Sequence, residues 1–231
     1  MSFGGGNKTY HDLVESVRRQ LSETGVFDEV FAFTDLDLKS DADFWKKHQN
    51  FIENNHRGYG YWIWKPYLIM KTLENMNEGD ILLYLDSGCD IKSDANHKLT
   101  SLLDRCDSIL YTSTGQKEKT WTKMDIFSEM NMLNNQDIMM SEQHQAGVLF
   151  INKNEITMNF IRDWYSMICK YNLVDDSPSG LPNDETFKEN RHDQSLFNVI
   201  IKSEKYKEYL NNENNLISDY YPILISRNRT V

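Results

Sequence analysis

Ile81-Leu82-Leu83-Tyr84-Leu85-Asp86-Ser87-Gly88-Cys89-Asp90 is the stretch whose reading decides the fold. Five apolar residues run straight into a carboxylate. A small residue, a glycine and then a second carboxylate follow. So short an apolar run fits a strand buried on both faces, as in a parallel sheet. Gly79-Asp80 before it is a turn signal that fixes where the strand starts. An Asp at the carboxyl end of such a strand points into the crevice where open α/β sheets bind ligands. Carboxylates there suit Mg²⁺ or Mn²⁺, which keep waters and share phosphate ligands. A nucleotide or nucleotide-sugar site is the expectation.

Apolar spacing predicts helices over residues 11–24, 41–55, 67–76, 99–106, 123–132, 155–171 and 193–201. Strands are expected over 27–33, 81–86, 108–112 and 145–152. Ser2-Phe3-Gly4-Gly5-Gly6 reads as the end of a very short strand flowing into a glycine turn. Residues 175–190 read as a long surface loop able to close over a ligand. Helices alternating with strands imply an α/β domain with a mainly parallel sheet flanked by helices. The 231 residues fit one domain, 1–231, with 202–231 as a C-terminal extension carrying one apolar piece at 220–225.

The totals exclude several classes. A formal charge of −10 opposes a nucleic-acid binder, which needs a basic face. No apolar run approaches the roughly 20 residues that span a bilayer. The three cysteines form no CxxC pair, so free thiols in a reducing, cytoplasmic compartment are expected and a zinc site is not.

Three further segments carry candidate chemistry. In Arg57-Gly58-Tyr59-Gly60-Tyr61-Trp62-Ile63-Trp64-Lys65-Pro66 the glycines allow close backbone approach, and the aromatics can stack on a base or sugar. They can equally be an aromatic plug over the sheet. Lys65 and Arg57 can contact a diphosphate, Lys65 beside a helix N-terminus. Gln143-His144-Gln145-Ala146-Gly147 leaves room for a ligand, or is merely a tight turn. In Arg191-His192-Asp193-Gln194 the imidazole can ligate a metal and Asp193 can act as general base, or as an N-cap.

Together these segments resemble GT-A fold (Rossmann-like) glycosyltransferases. The aromatic segment 58–66 is similar to putative glycosyltransferases of surface-polysaccharide gene clusters and large viruses. The resemblance implies a nucleotide-diphosphate sugar donor, usually UDP-linked, a glycan or other hydroxyl acceptor, and Mn²⁺ or Mg²⁺ held by an Asp-x-Asp motif. It implies a hexosyltransferase-type enzyme of polysaccharide biosynthesis, in the host cytoplasm if viral. Asp86 matches the first Asp of the motif, but Gly88 stands where the second is expected, so either Asp86 serves as the ligand, or Asp90 substitutes, or metal dependence is weakened. Ser2, Phe3, Gly4, Arg57, Lys65, Asp86, Gln145, Ala146 and Gly147 would then bind the donor. Asp86, Asp90 and His192 would hold the metal, and Asp193 would be catalytic. A sugar nucleotidyltransferase would need more basic residues than Gly4-Gly5-Gly6-Asn7-Lys8 offers. A carbohydrate-binding module or inactive relative is the non-enzyme alternative.

Overall fold

The computed structural model describes residues 1–217 and 222–225. Its strands are β1 (Ser2–Gly4), β2 (Ala32–Thr34), β3 (Ile81–Asp86), β4 (Cys89–Ile91), β5 (Ile109–Leu110), β6 (Ser113–Lys117), β7 (Glu142–His144), β8 (Val148–Asn152) and β9 (Ile223–Ile225). The central sheet runs β2-β1-β3-β8-β5. β1 pairs in parallel with β2 and β3, whereas β8 runs antiparallel to both β3 and β5. It is a mixed sheet flanked by helices.

β3 is the spine, as its sequence predicts. Alternate residues face opposite sides of a strand. Leu82 and Tyr84 enter one core with Leu149 and Ile151, under the helices Trp64–Glu74, Glu155–Ile168 and Asp193–Ile201. Leu83 and Leu85 enter the other with Val148 and Phe150, under the helices Lys8–Thr24 and Asn96–Asp104. A continuous apolar run is what two covered faces require.

The antiparallel course of β8 matters for function. It brings the entry to β8 beside the exit of β3, where the Asp86 amide donates to the Gly147 carbonyl at 2.8 Å. Segment 145–147 and Asp86 therefore share one end of the sheet.

Several boundaries differ from the expectation. β2 covers only three residues, and Phe27 and Val30 before it pack, partly buried, against the second core. The first helix starts earlier, at Lys8, where the Asn7 side chain accepts from the Tyr10 amide. The helix Glu155–Ile168 stops before Tyr171, whose ring stacks on Phe51 at 4.0 Å. It starts at a capping box. The Asn154 side chain accepts from the Thr157 amide at 2.9 Å, and Thr157 Oγ1 accepts from the Asn154 amide at 3.1 Å. Asn154→Ala should cost about 1 kcal/mol of unfolding free energy, read by urea titration.

Segment 175–190 lacks regular structure but is tied down. Gly180 and Leu181 donate to the Asp125 carboxylate, and Asn183 Oδ1 accepts from the Met124 amide. Part of the extension also joins the core through Tyr206 and Leu210. β9 pairs with β4; residues 220 and 221 of the expected apolar piece lie outside the described residues. No helix among the described residues is long and apolar enough to cross a membrane.

Candidate active site

Three elements deliver charge to one point at the carboxyl ends of β1 and β3. Strand β3 ends in Asp86; Lys65 lies in the first turn of the helix Trp64–Glu74; Asp193 opens the helix Asp193–Ile201. Lys65 Nζ lies 2.5 Å from Asp193 Oδ2 and 3.3 Å from Asp86 Oδ1. It also donates to the Ala146 carbonyl at 3.2 Å. An ammonium only donates, and of these three oxygens the Ala146 carbonyl is the one in hydrogen-bond geometry. The Asp193 contact is an ion pair by distance, lying off the hydrogen-bond axis at Oδ2.

Depth separates the three. Lys65 is 2% exposed and Asp193 5%, while the Asp86 side chain is 39% exposed. Burial pulls the Lys65 ammonium down, but Asp193 and Asp86 outweigh it and hold it above the usual lysine range. Burial pushes Asp193 up to about 6, against the pull of Lys65 and with further help from the charge of Asp86. The cluster holds two carboxylates and one ammonium, so its deeper carboxylate takes a proton most readily.

Asp86 is fixed on one side and open on the other. Its Oδ1 accepts from the Tyr84 hydroxyl at 2.6 Å as well as facing Lys65. Its Oδ2 lies where Gly147 carries no side chain: a Cβ there would stand 2.6 Å away. The carboxylate borders a cleft of about 960 Å³ walled by Gly4, Gly5, Gly6, Tyr59, Trp62, Arg57, Gln145 and Gly147. Another cleft, of about 990 Å³, opens at the opposite end of β3, near Ile81 and Tyr67. Ligands of open α/β sheets sit at the carboxyl ends of strands, and the buried charge cluster is at that end too.

The aromatic wall has an unusual backbone. Gly58, Tyr59, Gly60, Tyr61 and Trp62 are all left-handed, with φ of 57°, 53°, 86°, 51° and 60°. The Trp64 indole N–H closes this turn on the Gly58 carbonyl at 2.9 Å. At its start Arg57 forks to both oxygens of Asp176 at 3.2 Å and reaches Glu189 at 3.5 Å. This pins both ends of segment 175–190 to the cleft rim.

The expected site residues divide accordingly. Asp86, Gly4, Gln145, Gly147 and Arg57 border the cleft. Phe3 also borders it but packs its ring on Trp64, with centroids 4.0 Å apart. Gly4 is needed for packing as well, since a Cβ would stand 2.1 Å from the Tyr10 carbonyl oxygen. Ser2 is buried within β1. Ala146 is buried and contributes its carbonyl, while Lys65 and Asp193 lie beneath the floor. A lysine 2% exposed and enclosed by two carboxylates and a carbonyl is not available to a diphosphate.

The three expected metal ligands do not form one set. Among the described residues no group of three or more His, Cys, Asp or Glu side chains is placed to hold a metal ion. Asp86 faces Lys65 and Tyr84; Asp90 accepts from the Gln20 amide at 3.4 Å. His192 packs its ring against Tyr61 and Trp62, and its Nδ1–H donates to the Val174 carbonyl at 2.6 Å. The residues present therefore do not fit a Mn²⁺ or Mg²⁺ ion held by this protein's own side chains alone. An ammonium stands beside Asp86 instead.

Tyr84 and Gln194 join the site without an expected role, although Gln194 lies in the segment 191–194. Tyr84 sits two positions before Asp86, on the same face of β3, so strand periodicity carries a signal for it. Gln194 borders the cleft and accepts from the Ala146 amide at 3.3 Å. Its neighbours in the segment 191–194 mark the place, but not its contact with Ala146.

No family model matches the chain, and no curated protein does. Among solved structures, the apo form of mouse xyloside xylosyltransferase 1 superposes with a TM-score of 0.42 at 10% identity. The match covers 87% of this chain and 80% of that one. A likeness at that level carries no weight for fold or reaction.

Proposed function

We propose that the chain transfers a sugar from a nucleotide-diphosphate donor, UDP-linked in the first instance, to a hydroxyl of a glycan acceptor. The observation that carries this reading is Asp86: its Oδ1 is tied to Tyr84 and Lys65, its Oδ2 lies over Gly147, and the side chain stays 39% exposed at the border of the cleft. Tyr59 and Trp62 offer ring faces for the base or sugar, and the glycines before the first helix let backbone approach the donor. The bond from the anomeric carbon to the diphosphate oxygen breaks, the acceptor hydroxyl oxygen forms the new bond to that carbon, and the hydroxyl proton passes to the departing diphosphate. Positive charge gathers on the sugar ring as it does so. A carboxylate fixed in advance beside that ring stabilises the charge without reorganising.

We assign Asp193 its effect through Lys65, not by direct proton abstraction, because it sits behind Asp86 and not at the cleft surface. Lys65 and Asp193 together set where the Asp86 charge stands. The resemblance's divalent ion enters no step here; a cytoplasmic site of action agrees with the three free cysteines among the described residues.

The test is release of nucleoside diphosphate from UDP- and GDP-sugars across pH, with and without Mn²⁺. Protonating Asp193 leaves Asp86 to balance Lys65 alone and draws it from the donor. Turnover should therefore fall as pH drops through about 6, with the acid limb absent in Asp193→Asn. A limb unchanged by that substitution would remove Asp193 from the reaction. Donor binding without turnover at any pH would favour a carbohydrate-binding or inactive protein.

A further inference from the structure

A line of buried polar groups runs from the interior to the cleft floor. Lys202 Nζ lies 2.6 Å from Glu118 Oε1, with side chains 3% and 0% exposed. Gln143 Nε2 donates to Glu118 Oε2 at 3.0 Å, and Gln194 Nε2 donates to Gln143 Oε1 at 2.9 Å. Gln194 Oε1 accepts from the Ala146 amide at 3.3 Å, and the Ala146 carbonyl accepts from Lys65 at 3.2 Å.

Both ends of this line fix its direction. An ionised carboxylate such as that of Glu118, paired with Lys202, only accepts, so Gln143 must turn its NH₂ toward it. A backbone N–H only donates, so Gln194 must turn its oxygen toward Ala146. The two glutamines then meet oxygen to NH₂, the one arrangement that satisfies every link. Flipping either amide would set two donors or two acceptors face to face at the shared contact.

We propose that Gln143 and Gln194 are positioning residues that hold the Ala146 peptide, and through its carbonyl the Lys65 ammonium, at the height the cleft floor requires. The inference rests on the reading of Asp86 and Lys65 as the reactive floor. With the Ala146 carbonyl displaced, Lys65 keeps only its two carboxylates and moves toward them. Gln194→Met breaks the line at Ala146. Gln143→Met breaks it one link deeper and leaves the Gln194 contact with Ala146 in place, so its effect is smaller.

The test is made on the full chain by nitrogen NMR of the lysine side chains, the Lys65 ammonium being assigned by its loss in Lys65→Arg. Wild type should show a slowly exchanging Lys65 ammonium. In Gln194→Met its exchange should quicken about tenfold, the effect of one lost hydrogen bond. The acid limb of donor turnover should move to lower pH in the same variant, a change that a packing role alone would not produce. Should Gln194→Met fail to fold, Gln143→Met supplies the same two readouts. A fast-exchanging Lys65 ammonium in wild type, or exchange and limb both unchanged in the variants, overturns the proposal. A wild type that turns over no donor sinks the transferase reading, while ammonium exchange still decides the positioning role.

Discussion

Lys65→Met should destabilise the protein by about 3–5 kcal/mol, the usual loss when one partner of a buried ion pair is removed. Methionine matches the length of the lysine stem, so little packing is lost and the effect is electrostatic. Asp193 is left 5% exposed with its ammonium gone and the Asp86 carboxylate nearby. The loss should also depend on pH. The Asp193 carboxyl, already raised to about 6, is raised further without Lys65. An acid whose folded value exceeds its unfolded value binds more protons when folded, so stability falls as pH rises through that range. Urea unfolding at pH 5 and pH 8 should thus show a smaller loss at the lower pH. A loss below about 1 kcal/mol at pH 8, typical of exposed pairs, would mean that Lys65 is not the buried counter-ion of this cluster.

Asp86→Ala should lower donor turnover by about 10²–10³-fold, the range for removing one preorganised group from a charge-stabilising site. Stability should change little by comparison. Asp86 is the more exposed carboxylate, and Lys65 keeps Asp193 and the Ala146 carbonyl when it is gone. Release of nucleoside diphosphate from a saturating donor measures this, with circular dichroism confirming the fold. Equal turnover in the two proteins would remove Asp86 from the reaction and leave the cleft without its functional assignment.

The parts legible in the sequence are those where one residue type has one use. β3 was legible because a strand covered on both faces must be apolar throughout. Lys65, Asp86 and Asp193 stand out in the sequence as charged residues at element ends, and the structure brings the three side chains together. The direction of β8 was not: an apolar run reads alike forwards and backwards, and only pairing with β3 reveals that it runs antiparallel. The grouping of His192 with a metal set failed because neighbours in sequence need not face one way. Asp193 turns to Lys65, while His192 turns to Tyr61 and Trp62. Glu118 and Lys202 were invisible, and so was the pairing of Gln143 with Glu118, because a buried polar residue looks like a surface one until its partner is known. Lys202 finds Glu118 across 84 positions of chain.

The left-handed turn at residues 58–62 limits which sequences can occupy it. L-residues lose roughly 1–2 kcal/mol each in this conformation, and Tyr59, Tyr61 and Trp62 all accept that loss. The two glycines have no such latitude. A Cβ on Gly58 would stand 2.4 Å from the Trp62 ring, and one on Gly60 would stand 2.8 Å from Ile52. Chirality therefore governs substitution here more than hydrophobicity does. The aromatic positions can drift toward glycine without that steric penalty, and toward asparagine with less of it, losing a ring face but keeping the path of the chain. The glycines cannot drift at all without redrawing the wall itself.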